Sequence, residues 1–307
     1  NASLEGNPEP LTISFELQGE DLNQASGTLH ILVPDADYSQ VFAGQDLGAL
    51  AILGLEGSGQ VWIGVEAGQL SAATVEFDVP GLTISGKRRE QARQTESEQL
   101  GLTNLKGMAR LSHNSEESVW ELALANMSVT YRSDSWQSFN AHVLFTPDQL
   151  VEIAADHLDL GLLTRLAGDS GVLPYDAAID LKGLNPDGYL QNVSMSLPVS
   201  EAAGRPLTLK TNFADLQLGS VRNSPNLWGM DGFVELEFDP SFQHLTGVAE
   251  VNSSDFSMNI PSTFTRVWDY SRVNGRLHID VSMANGQVVK LASDRIVAES
   301  DAVNGSV

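Results

Sequence analysis

Apolar and polar residues alternate with period two through most of this chain. Leu11, Ile13, Phe15 and Leu17 are interleaved with Thr12, Ser14 and Glu16. The same pattern recurs in Leu29-Ile31-Val33, Val61-Ile63-Val65, Val75-Phe77-Val79, Trp120-Leu122-Leu124, Val193-Met195-Leu197, Val234-Leu236-Phe238 and Leu277-Ile279-Val281. Side chains at i, i+2 and i+4 share one face of a strand, so each run predicts a strand with one apolar and one polar side. Turn-forming dipeptides separate the runs: Asn-Gly at 274–275 and 285–286, Asp-Gly at 187–188 and 231–232, Pro-Gly at 80–81. Strand after strand joined by such turns predicts a mainly β chain built on a many-stranded antiparallel meander.

Three segments break the alternation. Residues 38–53 carry loose helical spacing at Val41, Phe42, Leu47 and Leu50, which predicts one or two helical turns. Residues 147–167 form the best helical candidate: Thr146 can cap, Pro147 suits the first turn, Gln149 follows, and Leu150, Ile153 and Ala154 supply an apolar stripe. A second piece over 158–166 ends near Gly168. Residues 261–268 again start on a proline, with Phe264, Val267 and Trp268 behind it. The resulting organisation is a first β-meander block over 1–146, a helical connector over 147–174, and a second block over 175–307 continuous with the first. Within the first block, residues 87–99 (KRREQARQTESEQ) are polar throughout and read as a mobile loop.

One motif occurs four times, with a glycine flanked by apolar positions. The copies are Leu22-Ala25-Gly27-Leu29-Ile31, Leu102-Leu105-Gly107-Ala109-Leu111, Leu227-Met230-Gly232-Val234-Leu236 and Tyr270-Val273-Gly275-Leu277-Ile279. The glycine predicts a bulge, kink or tight turn at the start of a long strand, where a side chain would obstruct the backbone. An Asn or Asp precedes a later strand in three copies: Asn126, Asp255 and Asp294. Spacing between copies is uneven, so the motif is a reused meander unit rather than a solenoid repeat.

Composition then narrows the chemistry. With 17 Lys+Arg against 40 Asp+Glu the formal charge is −23, which excludes a phosphate-neutralising nucleic-acid surface. Cysteine is absent, removing disulfides, thiolate metal sites and a cysteine nucleophile, and suiting an oxidising compartment. No apolar run reaches the roughly 18–20 residues of a membrane-spanning helix, and residues 1–2 do not begin a signal peptide, so the chain reads as an internal fragment of a longer protein. His30, His113, His142, His157, His244 and His278 make no metal-binding pair. His30 and His278 sit at equivalent places in the repeat and are expected on the polar side of their strands. No nucleophile elbow, phosphate loop or dinucleotide fingerprint is present, and residues 54–59 (GLEGSG) read as a turn. Trp62 and Trp120 lie within predicted strands and are expected in a core, whereas Trp136, Trp228 and Trp268 are expected to cap sheet ends. The expectation is a non-enzymatic protein with no cofactor and no metal.

Residues 181–197 (LKGLNPDGYLQNVSMSL), Thr211 to Leu216, the glycine-rich 223–232 (NSPNLWGMDG) and the stretches 259–264, 274–276 and 288–294 together resemble the AsmA-like family of Gram-negative bacteria, and its YhdP branch most closely. Earlier blocks at Trp62, 77–84, Leu105-Gly107 and 120–129 continue the resemblance over nearly the whole chain. It implies an elongated, strongly curved β-groove in the periplasm, belonging to a protein anchored in the inner membrane by a segment outside this sequence. It also implies phospholipid acyl chains and neighbouring segments of the same chain as partners, with contact to membranes only through the missing termini and none to nucleic acid. No catalytic residues are carried over. The groove-lining candidates are the alternating apolar residues Leu29, Ile31, Val61, Ile63, Val75, Phe77, Leu122, Leu124, Val234, Leu236, Leu277 and Ile279. Two other readings compete. One is a β-sandwich module that binds protein or glycan; the other, ranked last, is a glycosidase using two of the many carboxylates.

Overall fold

A computed structural model describes residues 10–21, 24–42, 50–86, 99–115, 117–147, 150–170, 173, 175–199, 204–221, 224–241, 243–263, 266–282, 288–300 and 304–306. The chain is mainly β, and its described strands form one open antiparallel sheet with few short helices. It divides into two compact units, residues 1–147 with 166–174, and residues 148–165 with 175–307.

The first unit contains β1 (Thr12–Gln18), β2 (Ser26–Asp37), α1 (Ser39–Phe42), β3 (Leu50–Glu66), β4 (Gln69–Gly86), β5 (Gln99–Asn114), β6 (Val119–Tyr131) and β7 (Asp134–Phe145). Each strand pairs with the next, β1 to β7, in sequence order. Long strands in strict succession follow from the sequence: β-branched and aromatic residues recur at every second position, and short connections allow only antiparallel neighbours.

The second unit begins with β8 (Leu150–Asp159), followed by α2 (Leu160–Asp169), whose last residues belong to the first unit, and α3 (Tyr175–Leu184). Then come β9 (Asp187–Pro198), β10 (Leu207–Leu218), β11 (Asn226–Phe238), β12 (His244–Ser253), β13 (Phe256–Asn259), β14 (Trp268–Tyr270), β15 (Arg272–Ser282), β16 (Val288–Glu299) and β17 (Asn304–Ser306). Pairing runs β8 to β12 in order, continues from β12 to β15 and on to β16 and β17, and β13 with β14 forms a short side ladder on β11.

Several sequence expectations require correction. The helix expected over 147–167 is a strand in its first half: Val151, Ile153 and Ala155 face Leu197, Met195 and Val193 across the β8–β9 ladder. An apolar set at 150, 153 and 154 satisfies a helical count, but β-branched Val151 and Ile153 with a waiting partner strand decide for β. The helix starts only at Leu160, where the Asp159 carboxylate accepts the Leu162 N–H at 2.7 Å and caps it. Helix α3 has no counterpart among the sequence expectations. Of residues 38–53, only Ser39–Phe42 is helical and Leu50 onward is strand; Leu47 lies outside the described residues. After Pro261 there is a turn closed by Thr263 N–H to the Ile260 carbonyl (2.9 Å), and Trp268 opens β14. Residues 87–98 lie outside the described residues, and Gln99 starts β5.

The repeated glycines work differently from a simple strand start. Gly27 and Gly275 do lie near strand beginnings, but Gly107 and Gly232 lie mid-strand. At Gly27 (φ +155°) and at Gly232 a Cβ would collide with a backbone carbonyl of the neighbouring strand, Glu16 and Glu250 respectively. Neighbouring backbones therefore approach more closely than any side chain permits. Bulges sit nearby, with Asn126 (φ 53°), Asn192 (φ 51°) and Asp215 (φ 49°) in the left-handed region. Side chains take up backbone N–H groups around them. Asn126 N–H donates to Asn140 Oδ1 (3.0 Å), Asp215 N–H to Asp231 Oδ1 (2.9 Å), and Asp231 N–H to Ser253 Oγ (2.8 Å).

Few apolar residues are enclosed. Sixteen of the described apolar residues are buried, although 42% of the chain is apolar. In the first unit Leu100, Val129, Tyr131 and Trp136 are buried towards one end of the strands. Tyr131 Oη donates to the Asp169 carboxylate at 2.8 Å, and Arg132 pairs with the same oxygen at 2.9 Å while lying over the Tyr131 ring. In the second unit Phe213, Val251, Phe256 and Val273 form a cluster backed by Leu190, Leu216, Leu227 and Met230.

Two outcomes follow. Ser253→Ala leaves the Asp231 N–H without its acceptor and lowers unfolding free energy by about 1–3 kcal/mol in urea titration. The Tyr131 phenol is pushed up to about 12, first by burial and then by the Asp169 bond. Its neutral form is the one the fold retains, so this contribution is full below pH 10 and is lost as pH rises through about 12. Tyr131→Phe flattens that alkaline limb of a stability–pH profile.

Candidate functional site

Antiparallel register converts the alternating runs into continuous apolar rows. In the first unit one row reads Phe15, Leu29, Ile63, Ala73, Leu111, Leu122 and Val143, each facing the next across a strand pair. A second, two residues along, reads Ile13, Ile31, Val61, Val75, Ala109, Leu124 and Ala141. A third carries Val33, Gly59, Phe77 and Gly107, with Met127 Sδ lying where a Gly107 side chain would be. At about 4.8 Å per strand, a row over seven strands is about 29 Å long.

The second unit repeats the device. Ile153, Met195, Leu209, Leu236, Gly247, Ile279 and Leu291 form one row. Thr211, Val234, Ala249, Leu277 and Ser293 form the adjacent one. All twelve lining candidates thus lie on cross-strand rows: eight in the first unit and Val234, Leu236, Leu277 and Ile279 in the second. None of the twelve is buried and none is fully exposed.

The opposite face is polar and cross-linked by charge. Lys106 pairs with Asp78 (2.8 Å), Lys210 with Glu235 (2.7 Å) and Arg276 with Glu250 (3.6 Å), each across neighbouring strands. His142 meets Glu121 at 2.9 Å, and His244 meets Asp280 at 3.2 Å. His30 and His278 lie on this face as expected, His30 bonded to Gln60 (3.2 Å) and His278 near Asp294 (3.7 Å). Exposed pairs of this kind each contribute under about 1 kcal/mol, so they set which face meets water more than they hold the sheet together.

The tryptophans depart from expectation. Trp62 is on the polar face, stacked on His30 with ring centroids 5.2 Å apart. Trp120 is half-exposed at the end of an apolar row against His113 (4.6 Å). Trp136 is buried within β7 on Phe139, while Trp228 and Trp268 are strand residues rather than caps. Sequence reasoning also missed a hollow of about 500 Å³ in the first unit, lined from the polar face by Leu32, Gln60, Glu76, Lys106 and Met108. Of the twelve candidates, Phe77 alone borders it. Leu32 and Met108 are the signal, as apolar residues at positions where the alternation calls for polar ones.

Among the described residues no three His, Asp or Glu side chains gather as a metal site, and no helix is long and apolar enough to cross a membrane. The arrangement presents rows of apolar side chains, with Thr211 and Ser293 as polar members in the second unit.

The model of the YhdP family, described as YhdP protein, matches residues 1–306. The chain belongs to the YhdP family. The AsmA-like, YhdP-branch resemblance seen in the sequence is thereby established over almost the full length of this chain. No curated protein and no solved structure matches it.

Whether the YhdP rows are a surface or half of a closed core is measurable by truncation. Leu124→Ala lowers unfolding free energy by less than about 1.5 kcal/mol if its face meets solvent or ligand, whereas Phe213→Ala, 5% exposed within its cluster, costs about 3–5 kcal/mol. Paired denaturant titrations give both values.

Proposed function

We propose that this chain is an internal segment of a periplasmic conduit in which phospholipid acyl chains lie on the apolar rows while moving between the inner and outer membranes. The observation that supports this reading most strongly is the continuity of apolar residues across the strands of the first unit from β1 to β7, exposed on β1 and half-exposed from β2 onward. A water-facing protein gains nothing from leaving such rows uncovered, and contiguous apolar surface of this extent marks a binding face.

The physics suits an acyl chain. Methylene burial gains about 0.8 kcal/mol per group, so a tail of about 16 carbons half-covered by the rows gains several kcal/mol without any directional contact. Because no single residue provides a deep well, successive positions along a row are nearly equivalent and a tail can slide. A row about 29 Å long exceeds the tail length in one leaflet of a hydrocarbon core about 30 Å thick. The headgroup needs only water beside the rows. No bond is made or broken, and the segment needs neither a catalytic residue nor a cofactor. Membership of the YhdP family supports an envelope role connected with lipid transport, and the full-length protein would be held at the inner membrane by a segment outside this sequence.

Photoactivatable residues at Ile63, Leu124 and Leu236 are expected to yield phospholipid adducts in cells. The same probe at Glu76 and Glu235, on the opposite face, is expected to yield none. Equal labelling of both faces, or no labelling from the rows, overturns the reading.

A further inference from the structure

The apolar face of the first unit is open at one end of its strands and closed at the other. At the open end Phe145 faces Trp120, and Leu70 faces Val65. Phe145 is 42% and Leu70 41% exposed, and Glu66, Gln69, Asn114 and Glu117 in the turns beyond them are all exposed. Among the described apolar residues of that end Ala25 alone is buried, its carbonyl accepting the Gly68 N–H at 2.8 Å. At the other end Val129 faces Trp136, and Tyr131 faces Leu102, with Leu100 on the same side of its strand. Leu100, Val129, Tyr131 and Trp136 are all buried. Trp136 stacks on Phe139, the partner of Met127, and Met127 leans over Gly107 of the third row. The enclosed residues therefore stand on the same face as the rows. The Asp169 carboxylate, held by both Tyr131 and Arg132, belongs to this end as well.

We infer that a phospholipid on the first unit lies with its tails along the strands, tail ends towards Phe139 and Met127, and its headgroup at the open end beside Phe145, Trp120 and Leu70. This rests on the conduit function proposed above and adds an orientation to it. Two costs decide the direction. A phosphate carried to the closed end would lose its water against Leu100, Val129 and Trp136, and the guanidinium there, Arg132, is already paired with Asp169. Tails pointing the other way would leave their ends among exposed turns and forfeit the apolar burial that holds them. Length agrees with this placement. From Phe145 to Trp136 β7 runs nine residues, about 30 Å, whereas a tail spans about 15 Å, half of a hydrocarbon core about 30 Å thick. A tail that starts beside Phe145 thus ends near Ala141 and Phe139, and the buried residues beyond form a stop. Movement along the rows then carries the lipid sideways from strand to strand. Its headgroup stays in water throughout.

Two photoreactive phosphatidylcholines test this on the 307-residue chain, one with a diazirine on the headgroup and one with it at the terminal carbon of a tail. The headgroup diazirine is expected to label residues 65–70, 113–120 and 143–147, and the tail-end diazirine residues 125–141, each by about 5-fold or more over the other. Reversed or evenly shared labelling overturns the orientation while lipid binding stands. No adduct with either lipid overturns the conduit function and the orientation together. A second measurement keeps Trp136 as the single tryptophan by replacing Trp62, Trp120, Trp228 and Trp268, none of them buried, with Phe. Bromine at the tail terminus is expected to quench its fluorescence more strongly than bromine beside the carboxyl. The opposite order, or equal quenching, overturns the inference.

Discussion

Cross-strand register is the constraint on which the rest of this molecule depends. A side-chain period of two means that slipping any ladder by one residue would turn its whole apolar set to the polar face. The rows survive because each antiparallel pair, from β1–β2 to β6–β7 and from β8–β9 to β15–β16, holds apolar opposite apolar. Where register must shift, the sequence supplies the means. Asn126, Asn192 and Asp215 adopt left-handed backbone at bulges, and Asn140, Asp231 and Ser253 accept the N–H groups of Asn126, Asp215 and Asp231. Gly27 and Gly232 admit neighbouring carbonyls where a side chain could not stand. The repeated motif is therefore a register device before it is anything else.

The two faces then do separate work. On the polar face, ion pairs such as Lys210–Glu235 and Arg276–Glu250 sit on a chain whose net charge is −23, so acidic residues in excess keep that face wet. On the apolar face, side chains that would ordinarily be consumed as core stay half-exposed. Stability is drawn instead from ladder hydrogen bonds and from compact clusters, such as Phe213 with Val251 and Phe256, and from the fully buried Leu162 of α2. The two sets meet in the second unit, where Val234 of an apolar row also packs against that cluster.

Strands and faces were legible in the sequence because alternation is a direct image of a two-sided sheet. All twelve lining candidates fell on the rows. The failures share a cause: local signals that two structures satisfy equally. Leu150, Ile153 and Ala154 fit a helix, yet β9 offered Val193, Met195 and Leu197 as partners, and long-range pairing won. Pro261 suggested a helix start where the chain makes one turn. Trp62 looked like core because it lies within a strand, but position 62 belongs to the face opposite Val61 and Ile63, and strict alternation would have placed it there. The bulges and the hollow beside Lys106 and Met108 depend on which strands meet and at what offset, information carried by no single segment.

The central claim is that the apolar rows are occupied by lipid rather than packed shut. Native mass spectrometry of the chain purified from cells without detergent tests this most directly. The account predicts added masses matching phospholipids, diminished when Ile63 and Leu124 are both replaced by Glu in a chain that still folds. A single mass equal to that of the polypeptide, unchanged by those substitutions, contradicts it.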